Sequence, residues 1–159
     1  MHIVILDGYT TNPGDLSWEP VARFGTVTVY ERTAPDEILE RAEKADILIT
    51  NKTVLTEEIL NRLPSLKFIS LLSTGTNAVD LSAAAKRNIP VANVPGYSTP
   101  TVAQTTFSLI HELCFHAAAH SDAVRRGDWT LSKDFCFWKY PLIELAGKTL
   151  GIIGYGAIG

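Results

Sequence analysis

The stretch Lys67-Phe68-Ile69-Ser70-Leu71-Leu72-Ser73-Thr74-Gly75-Thr76-Asn77 decides the fold. Its first six residues are mostly apolar, which is typical of a strand covered on both faces of a sheet. The next five are small and polar and include a glycine, which indicates a turn. A helix is predicted over residues 81–87, so this part of the chain predicts a strand, a loop and a helix in series.

The same alternation extends in both directions from this stretch. Further strands are predicted at 3–6, 26–30, 46–50 and 90–93, the first being closed by a turn at Asp7-Gly8, and further helices begin at Pro35 and, with Thr56 as cap, at Glu57. Strands that alternate with helices through short loops predict a parallel, doubly wound α/β sheet. We expect a flavodoxin-like domain over residues 1–98.

The pattern changes after residue 98. Thr99 and Pro100 predict a cap and a first helical residue, and the helix is expected to reach about His120. Its apolar residues cover so much of its circumference that we expect it to be buried between two bodies, as an inter-domain or inter-subunit helix. The aromatic-rich residues 121–146 are interpreted as an arm for a dimer partner. The alternative is that they fold back over their own sheet.

Residues 147–159 predict a turn, a buried strand and a glycine-rich loop. The loop carries Gly154-x-Gly156-x-x-Gly159, the spacing of dinucleotide-binding loops. Its predicted cofactor-binding residues are Gly154, Tyr155, Gly156, Ala157, Ile158 and Gly159. The helix that holds the pyrophosphate and the acid that binds the ribose are expected after Gly159. We therefore expect this segment to be the truncated start of a Rossmann domain, with no nucleotide usefully bound.

The loop at Ser73-Thr74-Gly75-Thr76-Asn77 is the second candidate site. A glycine-containing turn at the carboxyl end of a parallel strand exposes backbone N–H groups, which suit a carboxylate or phosphate. The alternative is a plain turn between strand and helix, with Asp80 as the helix cap. The spacing does not separate the two.

Charge and composition exclude several classes of partner. The net charge is −3 and the basic residues are scattered, so no nucleic acid is expected. No apolar run approaches the length of a membrane span, and no basic segment precedes the apolar N-terminal run. The two cysteines form no disulfide pattern. We expect a cytoplasmic protein.

The histidines and paired acids of the helices are not predicted to bind metal. His111, Glu112 and His116 come close to a zinc-protease pattern, but the two imidazoles lie five residues apart and so on different helix faces. His116 and His120 have the right spacing but no third ligand. Asp36-Glu37 and Glu57-Glu58 are interpreted as first turns of helices, where the helix dipole favours acids.

Four separated runs carry a resemblance to a known family. They are Ser73-Thr74-Gly75-Thr76-Asn77-Ala78-Val79-Asp80-Leu81, Asn88-Ile89-Pro90-Val91-Ala92-Asn93-Val94-Pro95, Tyr97-Ser98-Thr99-Pro100-Thr101-Val102-Ala103-Gln104 and Gly147-Lys148-Thr149-Leu150-Gly151. In order and spacing they resemble the D-isomer-specific 2-hydroxyacid dehydrogenases. The branch they resemble most is glycerate dehydrogenase/hydroxypyruvate reductase, with phosphoglycerate dehydrogenase close behind.

The resemblance implies roles for individual residues. Thr74, Gly75 and Thr76 match the loop whose backbone holds the substrate carboxylate, and Thr106 matches a position that touches the NAD or NADP cofactor. Gln104 stands where many members carry Glu. The family's substrate-binding arginine and its Glu–His pair are expected after residue 159, so Arg125, Arg126 and His116 receive no catalytic role.

Two functions follow as hypotheses. In the first, residues 1–98 are the substrate-binding domain, 99–146 an inter-domain helix and dimerisation arm, and 147–159 the start of the cofactor domain of an oxidoreductase acting on small 2-hydroxy or 2-keto acids. This chain alone is then expected to be inactive, to bind no cofactor and to self-associate. In the second, the chain is a stand-alone, non-catalytic flavodoxin-like module for binding or dimerisation.

Overall fold

The computed structural model describes all 159 residues. They form two compact units, Met1–Pro95 and Gly96–Gly159. The first unit contains every strand of the protein, and the second contains its two longest helices.

The first unit is built on a five-stranded sheet. Its strands are β1 His2–Ile5, β2 Thr26–Val29, β3 Ile47–Thr50, β4 Phe68–Leu71 and β5 Val91–Ala92. Every neighbouring pair is parallel, and the order across the sheet is β2-β1-β3-β4-β5. This is the flavodoxin-like order, so the predicted fold class is confirmed.

Four short helices connect these strands. They are α1 Glu19–Ala22, α2 Ile38–Ala42 after a 3₁₀ turn at Pro35–Glu37, α3 Glu57–Asn61 and α4 Leu81–Lys86. The side chain of Thr56 accepts a hydrogen bond from the Ile59 N–H and caps α3, as predicted. The acids at Asp36-Glu37 and Glu57-Glu58 do occupy first turns.

Helices cover both faces of the sheet. On one face Val4, Leu48 and Ile69 pack with residues of α2, α3 and α4 in a single buried cluster. On the other face Ile3, Ile5 and Ile49 pack against Trp18 and Val21 near α1. Successive strand residues point to opposite faces, so consecutive apolar residues such as Ile3, Val4 and Ile5 supply both clusters.

The second unit begins with α5, Thr99–Phe115. The prediction that Thr99 caps this helix is wrong: Ser98 is the cap residue, without a side-chain hydrogen bond, and Thr99 is already helical. The prediction of one helix to His120 is also wrong. His116 adopts a left-handed conformation (φ 48°, ψ 45°), and a separate helix, α6 Ala117–Arg125, follows it.

The apolar side chains of α5 are exposed. No α5 residue is buried, and Phe107 and Leu113 are 54% and 72% exposed. The burial expected for this helix is therefore not present within the chain. No helix of the structure combines the length and apolar character needed to cross a membrane.

Residues 126–146 contact the helices of their own unit. The backbone N–H of Lys139 donates to Nε2 of His120 at 3.1 Å, and the N–H of Ile143 donates to the carbonyl of Cys114 at 2.9 Å. The first residues of the predicted arm, 121–125, belong to α6.

The strand predicted just before the glycine-rich loop does not form. Residues 148–153 have no regular secondary structure, and the side chain of Ile153 is fully exposed. A strand needs a neighbour for its hydrogen bonds. All five strands pair with one another in the first unit, and residues 96–159 contain no other strand.

Candidate functional site

The loop after β4 has a one-sided pattern of hydrogen bonds. The carbonyls of Ser73, Thr74, Gly75 and Thr76 all accept: from the N–H of Val94 (3.0 Å), Nδ2 of Asn93 (2.7 Å), Oγ of Ser73 (2.8 Å) and the N–H of Val79 (3.0 Å), respectively. None of the backbone N–H groups from residue 74 to 77 donates to a protein acceptor. The loop thus presents a run of free donors at the carboxyl end of the sheet.

The free N–H groups of this loop are not those of the first turn of α4. Asp80 caps that helix, because its Oδ1 accepts the Ala83 N–H at 2.9 Å. The two readings of the sequence are therefore compatible: the helix end is satisfied by Asp80, and the loop donors remain free. Successive free N–H groups of this kind suit an anion.

Gly75 leaves room for the side chain of Asn77. A Cβ at this position would lie 3.0 Å from Oδ1 of Asn77, closer than side chains normally approach. The side chain of Asn77 would have to shift to admit it. This is a physical reason for glycine in the middle of the loop.

The loop after β3 runs alongside the loop after β4 and is joined to it at both ends. At the start, the N–H of Leu72 donates to the carbonyl of Thr50 at 2.9 Å. At the end, the N–H of Leu55 donates to the carbonyl of Ala78 at 2.7 Å, and the N–H of Asp80 donates back to Leu55 at 3.0 Å. The position of one loop therefore constrains the other.

Asp7 holds the loop after β3. Its Oδ1 accepts from Oγ1 of Thr50 (3.0 Å) and the N–H of Asn51 (2.7 Å), and its Oδ2 accepts from the N–H groups of Lys52 (2.5 Å) and Thr53 (3.0 Å). The residue is 7% exposed. The sequence alone indicates only a turn at Asp7-Gly8, so this role of Asp7 was not predicted.

Lys52 supplies the positive charge at the carboxyl end of the sheet. It is exposed and is the one cationic side chain in the loops that follow β1, β3, β4 and β5. An anion that approaches the loop after β4 therefore meets a positive side chain from the neighbouring loop.

The glycine-rich segment of the second unit forms part of a separate cavity of about 660 Å³. The cavity brings together several of the predicted cofactor residues, namely Thr106, Gly154, Ile158 and Gly159, with apolar side chains such as Phe107 and Ile153. Tyr155, Gly156 and Ala157 do not line it.

Two glycines of this segment have conformations that a larger residue would resist. Gly154 has φ +92°, in the region that favours glycine. A Cβ at Gly159 would overlap the carbonyl oxygen of Gly154. Glycine at positions 154 and 159 therefore suits the local backbone geometry of this segment.

The histidines of the second unit make structural contacts. Nδ1 of His120 lies 2.8 Å from the carbonyl of His116, and Nε2 accepts from Lys139, so both ring nitrogens are engaged. The ring of His116 lies 4.9 Å from that of Tyr140. The structure contains no cluster of three potential metal ligands.

Two carboxyl groups have a lowered pKa, and both belong to ion pairs. The hydrogen bond from Lys67, followed by that from the His2 N–H, lowers the pKa of Asp46. The hydrogen bond from Lys139 lowers the pKa of Asp128. Asp46 lies just before β3, at the amino end of the sheet, whereas the loops after β3 and β4 lie at its carboxyl end.

Comparisons with known proteins agree on one family. Residues 3–151 match the model of the D-isomer specific 2-hydroxyacid dehydrogenase catalytic domain. Hydroxypyruvate reductase from Blautia hydrogenotrophica is 46% identical over 162 residues, covering 100% of this chain and 50% of the relative. Glycerate dehydrogenase from Methylorubrum extorquens is 44% identical over 131 residues, covering 82% of this chain and 42% of the relative.

A solved structure shares the fold. It is a Polaromonas sp. JS6 66 protein assigned to the D-isomer specific 2-hydroxyacid dehydrogenases, NAD-binding, with a TM-score of 0.77 and 27% identity. The match covers 99% of this chain and 49% of that one. The chain spans about half the length of the curated relatives it matches.

Proposed function

This chain belongs to the D-isomer specific 2-hydroxyacid dehydrogenase family, and from that premise we propose that it supplies the substrate-binding part of an NAD(P)-dependent oxidoreductase. The proposed substrates are small 2-hydroxy or 2-keto acids, as for glycerate dehydrogenase/hydroxypyruvate reductase. The observation that carries the proposal is the loop after β4, in which four carbonyls are engaged and the N–H groups of residues 74–77 are free.

The proposed role of Thr74, Gly75 and Thr76 is to bind and orient the substrate carboxylate. Charge-assisted hydrogen bonds from backbone N–H groups fix both the position and the direction of a carboxylate. Lys52 adds attraction at longer range. A carboxylate held in this way presents the neighbouring carbon of the substrate in one orientation, which is the contribution of binding to catalysis.

The nicotinamide cofactor, when bound, supplies hydride transfer. We propose that Thr106 and the segment from Gly154 to Gly159 contact it. The support is that Thr106, Gly154, Ile158 and Gly159 line one cavity. No helix begins within residues 154–159 to offer the N-terminal donors on which a pyrophosphate normally rests. We therefore propose that this chain by itself binds no dinucleotide tightly.

We assign no catalytic residue within the chain. His2 lies on β1, at the amino end of the sheet, and its Nε2 contacts Oγ1 of Thr28 at 3.0 Å. The other three histidines belong to the second unit. At the carboxyl edge of the sheet, the carboxylate of Asp7 already accepts four hydrogen bonds. Neither the histidine of the first unit nor Asp7 is therefore free to act on a substrate at the loop after β4.

A second candidate function is a non-catalytic binding or dimerisation module. The exposed apolar side chains of α5, including Phe107 and Leu113, favour it. The same side chains support self-association, with a homodimer as the simplest assembly, under either function. We also place the protein in the cytoplasm, which is in keeping with its free cysteines, Cys114 and Cys136.

The binding of D-glycerate to the chain, measured by calorimetry, tests the proposal. We expect saturable binding that Gly75→Ala weakens by about tenfold, a loss of about 1.4 kcal/mol. The matched control is Gly151→Ala, because a Cβ there meets no atom within 4 Å. Equal affinity of the wild-type chain for uncharged glycerol would contradict carboxylate recognition.

An activity assay tests the assignment of no catalytic residue within the chain. We expect no hydroxypyruvate-dependent oxidation of NADH or NADPH by the chain alone. Turnover above the background would show that the chain carries catalytic groups, and the assignment of none would then be wrong.

A further inference from the structure

The crevice between β1 and β3 is the switch point of the sheet. The strand order reverses there, because β2 lies on one side of β1 and the later strands lie on the other. Ligands of doubly wound sheets ordinarily bind in this crevice, outside the carboxyl ends of the strands. In this protein the Asp7 carboxylate lies there, at the end of β1, and is bound by the loop after β3.

The contacts of Asp7 resemble those of a bound anion. Three successive backbone N–H groups, from Asn51, Lys52 and Thr53, converge on its two oxygens, and the Thr50 hydroxyl donates to it as well. No basic side chain pairs with Asp7. The loop after β3 is thus a backbone anion site, and the protein fills it with its own carboxylate.

The backbone donors of the two neighbouring loops therefore differ in whether they have an acceptor. The N–H groups of residues 51–53 are filled by Asp7, whereas those of residues 74–77 are free. The loops are joined at both ends, through Thr50 to Leu72 and through Leu55 to Ala78 and Asp80. Displacement of the first loop would be passed to the second through these bonds.

We propose that Asp7 is a positioning residue for substrate carboxylates. It acts through the loop after β3, which it holds in place so that the free donors of residues 74–77 keep their positions. Because Asp7 occupies the donors at the switch point, the loop after β4 is the open anion site at the carboxyl end of the sheet. The inference rests on the proposed function, because that loop is the proposed carboxylate site.

Removal of the Asp7 carboxyl leaves the N–H groups of Asn51 and Lys52 without an acceptor, which is costly near a protein core, whereas the N–H of Thr53 keeps Oγ1 of Thr50 at 3.1 Å. Asp7→Ala also leaves a space the size of a carboxyl group, which formate can fill. Asp7→Asn retains the shape but turns an amide NH₂ toward backbone donors. We expect the loops after β3 and β4 to be less ordered in both variants. Formate is expected to restore their order only in Asp7→Ala.

The experiment measures the Kd for D-glycerate in the wild-type chain, Asp7→Ala and Asp7→Asn, with and without sodium formate. Without formate we expect Asp7→Ala to bind at least about tenfold more weakly, as is common when a binding group is misplaced. Formate is expected to strengthen binding by Asp7→Ala, whereas in the wild type it only competes and weakens binding. The opposite effects of formate on the affinity for D-glycerate distinguish a positioning role of Asp7 from a general loss of stability.

Asp46→Asn is the matched control. Asp46 also joins strands of this sheet, through the His2 N–H and Lys67, but at the amino end. We expect Asp46→Asn to lower stability and to leave the Kd for D-glycerate within about twofold, since sites without shared partners act independently. Equal weakening by Asp46→Asn and Asp7→Ala would overturn the proposal.

A second readout does not depend on D-glycerate. Amide hydrogen exchange at Leu55 and Asp80, which form the bonds between the loops, is expected to be faster in Asp7→Ala than in Asp46→Asn, and formate is expected to slow it. If the wild type fails to bind D-glycerate but this pattern appears, the proposed function fails and the role of Asp7 in ordering the loops stands. Unchanged exchange, wild-type affinity in a folded Asp7 variant, or a failure of both variants to fold even in formate would reject the positioning role.

Discussion

The backbone N–H of Leu55 lies 2.7 Å from the carbonyl oxygen of Ala78 and donates a hydrogen bond to it. This bond closes the loop after β3 onto the loop after β4, and the side chain of Leu55 is buried in the main core beneath them. The apolar core of the sheet and the row of free donors above it are therefore connected through one residue. Packing in the core supports the geometry of the candidate site.

Leu55→Ala is expected to destabilise the chain strongly. The side chain is 0% exposed, and the loss of a buried leucine typically costs about 2–5 kcal/mol. Urea unfolding followed by circular dichroism measures the effect. Val54→Ala is the control, because Val54 is 54% exposed and its truncation should change stability by less than about 0.5 kcal/mol. Equal losses for the two variants would show that Leu55 is not part of the core.

The ion pair between Asp46 and Lys67 predicts an acid-sensitive contribution to stability. The two hydrogen bonds to Asp46 hold its folded pKa below the ordinary value of 3.8. A carboxyl whose pKa is lowered by folding stabilises the protein above its unfolded pKa, and this contribution disappears as the pH falls through the folded value. The difference in unfolding free energy between wild type and Asp46→Asn should therefore be present at neutral pH and vanish in acid below pH 3.8.

Two controls accompany the measurement on Asp46. Asp15→Asn removes an exposed carboxylate that forms no ion pair, so it should leave stability nearly unchanged at neutral pH. Added salt should reduce the effect of Asp46→Asn, because Lys67 is exposed. An Asp46→Asn effect that grows as the pH falls would contradict the assigned direction.

The exposed apolar side chains of α5 predict self-association. Leu113→Glu should shift the mass measured by light scattering toward that of one chain, because a charge on this surface opposes its burial against a second copy. Gln104→Glu is the matched control: it places the same charge on the same helix at an exposed polar position. A wild-type chain that is already monomeric, or a monomer produced equally by both variants, would contradict this prediction.

Most elements of the first unit could be predicted because they carry a local signal, whereas the short helix α1, Glu19–Ala22, was not predicted. The strands are short apolar runs, and the caps at Thr56 and Asp80 appear as polar residues just before helices. The break at His116 had no such signal, because the left-handed residue is neither glycine nor asparagine and no proline follows it. The strand predicted before the glycine-rich loop has the local sequence of a strand but no neighbouring strand to pair with, since pairing is a property of the whole sheet.

The candidate site could be predicted only in part for a similar reason. The glycine in Ser73-Thr74-Gly75-Thr76-Asn77 marked the loop, but the sequence did not show which backbone groups are satisfied. The role of Asp7 depends on β1 lying beside β3, although paired residues such as Ile3 and Ile47 are far apart in the chain. A buried acid after the first strand is a signal only once the strand order is known.

The most direct test of the central claim is a titration of the isotope-labelled chain with D-glycerate, followed through assigned backbone amide resonances. If the loop after β4 binds substrate carboxylates, the N–H groups of residues 74–77 should show the largest saturable shifts, and glycerol should produce none. Amides of residues 74–77 that stay in place, while those of other segments such as 154–159 shift and saturate, would contradict the claim.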